Sequence, residues 1–156
     1  MVLLSLKALF KTTFFDTIGC SSKSEALDDS SNFNSMFDLI ISHAVLEHID
    51  NIDGFFKFMQ NSVKESGFVS HQVDLKSHEI ASTWDGHWRF SKFYWKLLRG
   101  KRLWFINRLP FSKYMELFNK YSFTNNYVDR NLMKPTYKRS KLSKDFIYLS
   151  EEDRET

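Results

Sequence analysis

Apolar and polar positions along this chain switch between two periods. Near the start, Leu3, Leu6, Leu9, Phe10 and Phe14 recur at close to helical spacing, which predicts a helix over residues 2–15. Residues 21–35 are rich in Ser, Asp and Asn and read as a loop. The run Phe37–Ile41 is short, apolar and bounded by polar turn signals, the pattern of a buried strand. Ala44–Ile49 reads as a helical turn. Asp50-Asn51-Ile52-Asp53 offers caps for a longer helix over Ile52–Glu65, with Phe55, Phe56, Phe58, Met59 and Val63 mostly on one face. Gly67 ends that helix, and Phe68–Val73 reads as the next strand. Strand, helix and strand within about 37 residues make a βαβ unit, hence a parallel pair with a right-handed crossover.

Beyond Val73 the pattern is less regular. Residues 74–89 form a loop. Phe90–Arg99 reads as an aromatic helix stopped by Gly100, and residues 103–109 as a connector closed by Pro110. Ser112 is placed to cap a helix over Lys113–Tyr121 that turns Tyr114, Leu117 and Phe118 inward. Phe123–Asp129 and Asp145–Leu149 read as strands joined without a helix, so they are expected to pair antiparallel as a C-terminal hairpin. The expected organisation is an N-terminal helix and polar loop over residues 1–34, an α/β domain over 35–150 and a frayed acidic tail over 151–156.

Composition changes this picture little. The 156 residues are 42% hydrophobic and 26% charged, ordinary values for a single globular domain. Sixteen Phe, four Trp and six Tyr make the chain aromatic-rich. The net charge of +3 is too mild to argue for nucleic acid or a membrane surface. One cysteine, Cys20, excludes an internal disulfide and a cysteine-based zinc site, and fits a reducing, cytoplasmic setting. Lys7 and Lys11 interrupt the apolar start, so it does not read as a signal peptide, and no run reaches the roughly 18 apolar residues of a membrane span.

Candidate chemistry gathers where the strands end. Ligands of open α/β sheets lie beyond the carboxyl ends of parallel strands, which brings Ser42, His43 and Glu47-His48 into consideration. Glu47 and His48 are adjacent and point to different sides of a helical turn, so their spacing does not read as a metal pair. At the next strand end, Asp74 and His78 could converge with His43, because neighbouring strands lie about 5 Å apart. His71, Asp74 and His78 suit a general base in which the carboxylate orients an imidazole, with His71 and Asp74 as the catalytic candidates; the same residues suit a His/Asp metal site or a hydrogen-bonded loop anchor. Trp84, Trp88, Tyr94, Trp95 and Trp104 interleave with Arg89, Lys92, Lys96, Arg99 and Arg108. That segment suits either stacking on an anionic acceptor or an aromatic core with solvated charges.

The stretch from Phe37 to Ile49, FDLIISHAVLEHI, resembles the fourth strand and following turn of class I S-adenosylmethionine-dependent methyltransferases of the type 11 group. Residues 67–78, GFVSHQVDLKSH, resemble the fifth strand of a subgroup, and Asn107-Arg108-Leu109-Pro110 resembles its later segment. The resemblance covers roughly residues 35–150. It implies a Rossmann-like sheet of order 3-2-1-4-5-7-6, of which this chain supplies 4-5-7-6 with the antiparallel hairpin at its far edge. It implies S-adenosylmethionine as cofactor, with Ser42, His43 and Ala44 against its methionine and ribose portion and Asp28, by position, at the adenine. Read from the residues themselves, His71 and Asp74 are the catalytic candidates; the resemblance puts the segment after strand 5, with His78, Trp84 and Arg108, on the side of a small-molecule or sugar acceptor. Arg108 reads equally as a structural anchor, and Glu47-His48 as the pocket floor.

The family's Gly-rich loop after strand 1 and its acidic residue after strand 2 have no counterpart here. The expectation is therefore weak or absent turnover by this chain alone. The family's central strand 4 becomes an edge, which the N-terminal helix is expected to cover unless the chain self-associates. The alternative reading is a non-catalytic remnant, or a partner that completes its sheet with another chain. A nucleic-acid-binding module ranks last.

Overall fold

A computed structural model describes residues 33–102 and 105–156, together with the backbone of residues 2–4. Cys20, Asp28, Trp104 and the greater part of the expected N-terminal helix lie outside the described residues.

The βαβ unit is present, but its first strand is not buried as expected: it is an edge of the described sheet, and Leu39 and Ile41 face solvent. Strand β2 (Phe37–His43) leads through a 3-10 turn (Leu46–His48) into helix α1 (Ile52–Ser62) and strand β3 (Val63–Val73). Strands β2 and β3 are parallel, with Leu39 opposite Phe68 and His43 opposite Gln72. Asn51 caps α1 by accepting a hydrogen bond from the Gly54 N–H at 3.0 Å. The helix ends at Ser62, earlier than its apolar pattern predicts, and the strand begins at once. Residues 64–67 bulge out of the ladder, because Phe37 pairs with Val63 but Leu39 with Phe68. Gly67 belongs to this bulge: a Cβ there would lie 2.7 Å from Val63 Cγ2 and 3.0 Å from the Phe37 carbonyl oxygen. Close backbone approach, not helix termination, requires the glycine.

The rest of the sheet departs from expectation. Val2–Leu4 form strand β1, not the start of a helix, and pair antiparallel with β3 and with the short strand β4 (Asp129–Arg130). The sheet order is β2-β3-β1-β4. The expected C-terminal hairpin is absent among the described residues. Residues 123–128 run outside the sheet, and residues 145–149 form turns, with Phe146 N–H bonded to Ser143 O and Leu149 N–H to Phe146 O. Leu142, Phe146 and Leu149 face inward at three- and four-residue spacing while Ile147 and Tyr148 face solvent. The continuous apolar run thus had the length of a strand but the burial pattern of helical turns. The fold is α/β, with a small open sheet holding one parallel pair.

Helices cover the sheet. Phe56 and Met59 of α1 are fully buried, packed with Leu46, Val73, Leu75 and four residues of helix α3 (Phe111–Lys120), namely Phe111, Tyr114, Leu117 and Phe118. The Phe56 and Phe118 rings meet edge to face at 4.9 Å. Helix α2 (Lys92–Arg99) is capped by Ser91 and ends at Gly100, whose φ of 53° belongs to the left-handed region. It buries Trp95 but leaves Phe93, Tyr94 and Leu97 exposed, so it does not turn a whole aromatic face inward.

Ser112 is not the cap of α3. Pro110 occupies that position and lends no side chain. The cap comes from the far end of the chain, where the acidic tail folds as helix α4 (Glu151–Glu155) instead of fraying. Asp153 is buried; its carboxylate accepts the Ser112 N–H at 2.8 Å and the Ser112 hydroxyl at 2.9 Å, and closes a capping box with Ser150. One carboxylate therefore satisfies donors at the start of two helices. Asp153→Ala is expected to cost about 2–3 kcal/mol in urea denaturation, with Asp153→Asn costing visibly less.

Candidate functional site

The carboxyl ends of β2 and β3 lie side by side. Ser42 lies opposite His71 in the parallel register and His43 opposite Gln72. The chain then leaves the sheet sharply. Ala44 takes a φ of 51°, and its N–H bonds back to the Gln72 carbonyl at 2.8 Å. A left-handed alanine is costly and persists only where its surroundings demand it. His78 and Glu79 are also left-handed, so three of the six described non-glycine residues with positive φ lie in the segments that follow these strand ends.

His71 is fully buried. Its Nδ1 lies 2.7 Å from Ser42 Oγ, and its ring packs against Phe55 and Phe118. Burial lowers its pKa to about 4, so it is neutral at physiological pH. The expected pairing of His71 with Asp74 does not form. Strand alternation turns His71 with Val73 into the core, while Asp74 points elsewhere and meets His78, with Oδ2 3.6 Å from His78 Nε2. Ser42 spends its hydroxyl on His71. His43 is exposed at the strand end.

Glu47 sits in the 3-10 turn that follows β2. It is 2% exposed, yet it is a carboxylate. Its Oε1 accepts the Asp74 N–H at 3.2 Å and lies 4.0 Å from His78 Nε2, while Oε2 is buried without a hydrogen-bond partner. Burial pushes its pKa up, and the Asp74 N–H and His78 act against that rise. The neighbouring His48 ring meets the His78 ring edge to face at 5.0 Å. Glu47, His48 and His78 bring one potential ligand atom each within 4.8 Å of one another. A tight 3-10 turn directs two adjacent side chains about 120° apart, and the His78 loop folds back over both.

Asn107 holds this turn in place. Its N–H donates to Glu47 O at 2.7 Å, and its side-chain amide donates to Leu46 O at 2.8 Å and Ile49 O at 3.2 Å. Its Oδ1 accepts from Leu109 N–H and from the buried Tyr114 hydroxyl. An asparagine in a polar-apolar connector carries no periodic signal, so pattern reading passed over it.

The other candidates separate. Arg108 is interior: its guanidinium donates to the carbonyls of His87 at 3.1 Å and Phe90 at 2.6 Å and lies 4.3 Å from the Trp95 ring centre and 4.7 Å from that of Phe146. It acts as the structural anchor and does not face an acceptor. Trp84 donates its Nε1–H to Lys134 O at 3.2 Å and packs on Trp88. Trp84, Asp74, Ser77 and His78 line an open pocket of about 500 Å³ beside the strand ends. Two of the three acceptor-side candidates, His78 and Trp84, therefore share a pocket, and Arg108 stands apart.

Among the described residues no helix is long and apolar enough to cross a membrane. Compared with the models of protein families, with curated proteins and with solved structures, the chain matches none.

Proposed function

We propose that this chain is a class I methyltransferase-like domain that presents a cofactor floor at residues 42–44 and an acceptor pocket over residues 74–84. The observation that carries the reading is the parallel β2–β3 pair joined by α1, with the turn at Ala44 and the 74–84 pocket side by side at its carboxyl ends. The exposed His43 and the turn backbone fit the methionine side of S-adenosylmethionine. No described residue answers to a Gly-rich loop or to a carboxylate on the ribose. When bound, the cofactor supplies an electrophilic methyl on a sulfonium, and such a transfer depends mainly on alignment. The residues of this chain serve that need by position: Asn107 fixes the turn, Trp84 offers a flat wall, and Asp74 orients His78 toward the pocket.

Two absent charge-assisted hydrogen bonds, each worth roughly 1.5–3 kcal/mol, lower affinity about 10²- to 10⁴-fold. Calorimetric titration of the purified chain with S-adenosylhomocysteine is expected to give saturable binding weakened by that factor from the micromolar range, and weaker still in Ala44→Pro. Absence of any binding at millimolar ligand would sink this reading in favour of a second one. Strand β2 is an edge of the sheet among the described residues, and its Leu39 and Ile41 are 50% and 58% exposed. That observation favours a chain that completes its sheet with another polypeptide or with a second copy of itself.

A further inference from the structure

We infer that Glu47, His48 and His78 form a binding site for a divalent transition-metal ion. Three features of the geometry support it. The ligand atoms already lie within 4.8 Å of one another, against about 3.4 Å between ligands around a tetrahedral ion with bonds near 2.1 Å, so small side-chain rotations close the site. Glu47 is almost wholly buried with Oε2 unpartnered, and no Lys or Arg pairs with it among the described residues. A buried carboxylate with one bare oxygen is what a bound cation satisfies. The site is also braced from outside: Asn107 fixes the Glu47-His48 turn through three hydrogen bonds.

The donor chemistry narrows the ion. Two imidazoles and one carboxylate suit Zn²⁺, Mn²⁺ or Fe²⁺, whereas Mg²⁺ and Ca²⁺ prefer all-oxygen sites. Three protein ligands leave coordination positions open, the arrangement of a reactive rather than a closed structural site. His78 and Asp74 line the 74–84 pocket, so the open positions face it. A hydroxyl or carboxylate oxygen of a small molecule held there would complete the coordination. That use rests on the methyltransferase reading, whereas cation binding itself does not.

The test is calorimetric titration of the chelator-treated full chain with Zn²⁺ alone, with Mg²⁺ for comparison. One equivalent of Zn²⁺ is expected to bind at micromolar concentration or tighter, with Mg²⁺ about 100-fold weaker. His78→Gly removes one ligand at a position whose φ of 49° suits glycine, so the fold is retained. Glu47→Gln keeps the acceptor for the Asp74 N–H and removes the charge. Each is expected to weaken Zn²⁺ binding by about 10- to 100-fold or more, with an unchanged circular dichroism spectrum for His78→Gly. No binding at millimolar Zn²⁺, or equal binding by both variants, would overturn the inference; the latter outcome would move the ion to Cys20 or to other histidines. Zn²⁺ binding without binding of S-adenosylhomocysteine would keep the cation site and remove its use in methyl transfer. The reverse pair of results would do the opposite.

Discussion

Lowering the pH from 7 to 5 is expected to remove about 4 kcal/mol of folding stability, shared between His71 and His87. Both are buried, at 0% and 1% exposure. Burial lowers His71 to about 4, and burial with the neighbouring Arg108 charge lowers His87 to about 3. In the unfolded chain both titrate near 6.5. Between that value and the folded pKa, the unfolded state binds protons that the folded state refuses. Stability is therefore unaffected above about pH 7 and falls as the pH drops below 6.5, by about 1.4 kcal/mol per pH unit for each histidine. At pH 5 each has cost about 2 kcal/mol. Glu47 acts in the opposite sense. Its raised folded pKa makes its ionised form a cost, which is relieved as the pH approaches the carboxylate range, so it offsets part of the loss at the acid end. Urea denaturation at pH 7, 6 and 5 measures the slope, and His71→Leu should roughly halve it. A slope identical in wild type and variant would mean that His71 is not held neutral by the fold.

Replacing Arg108 is expected to cost at least about 3 kcal/mol. Its guanidinium bonds two backbone carbonyls in the interior, and its own carbonyl accepts the Trp88 Nε1–H at 3.4 Å. It lies between the rings of Trp95 and Phe146, which belong to two separate apolar clusters, and so ties the α2 segment to the C-terminal turns. Arg108→Ala leaves the His87 and Phe90 carbonyls without a partner and opens a cavity between aromatic faces. Arg108→Lys keeps the charge but loses the flat guanidinium held against the Trp95 and Phe146 rings, and a compact ammonium is harder to bury, so it should recover only part of the loss. For a chain of this length the alanine variant should melt about 10 °C lower. Melting within two degrees of wild type would show that the anchor is dispensable. Any loss of function in these variants follows from the fold, since Arg108 does not line the 74–84 pocket.

The same residue shows where sequence reading reached and where it stopped. A lone arginine among aromatics is compatible with stacking on a ligand and with bracing a core, and linear order does not distinguish them. Only the packing of Trp95 from one segment and Phe146 from another on either side of it settles which is formed. The histidines behave likewise. Strand parity in β3 was legible and sends His71 with Val73 to one face. Which face is the core depends on α1 and α3 closing over it with Phe55 and Phe118, a tertiary event.

Local patterns by themselves determined the parallel β2–β3 unit, a capping signal within residues 50–53 (used at Asn51), helix α2 with its stop at Gly100, and the inward residues of α3. Each of these rests on interactions within a few residues or on one uninterrupted periodicity, which the linear order preserves. Tertiary structure alone decided the partners separated by long stretches of chain. Val2–Leu4 beside β3, Asp153 as the cap of α3, Asn107 under the 3-10 turn, and His78 over Glu47 and His48 all join segments remote in sequence. Such contacts depend on where the backbone returns in space, and a desolvated polar group takes whichever partner arrives there. The candidate site belongs to this second class, because its carboxylate and imidazoles meet only after the sheet, the turn and the loop have packed.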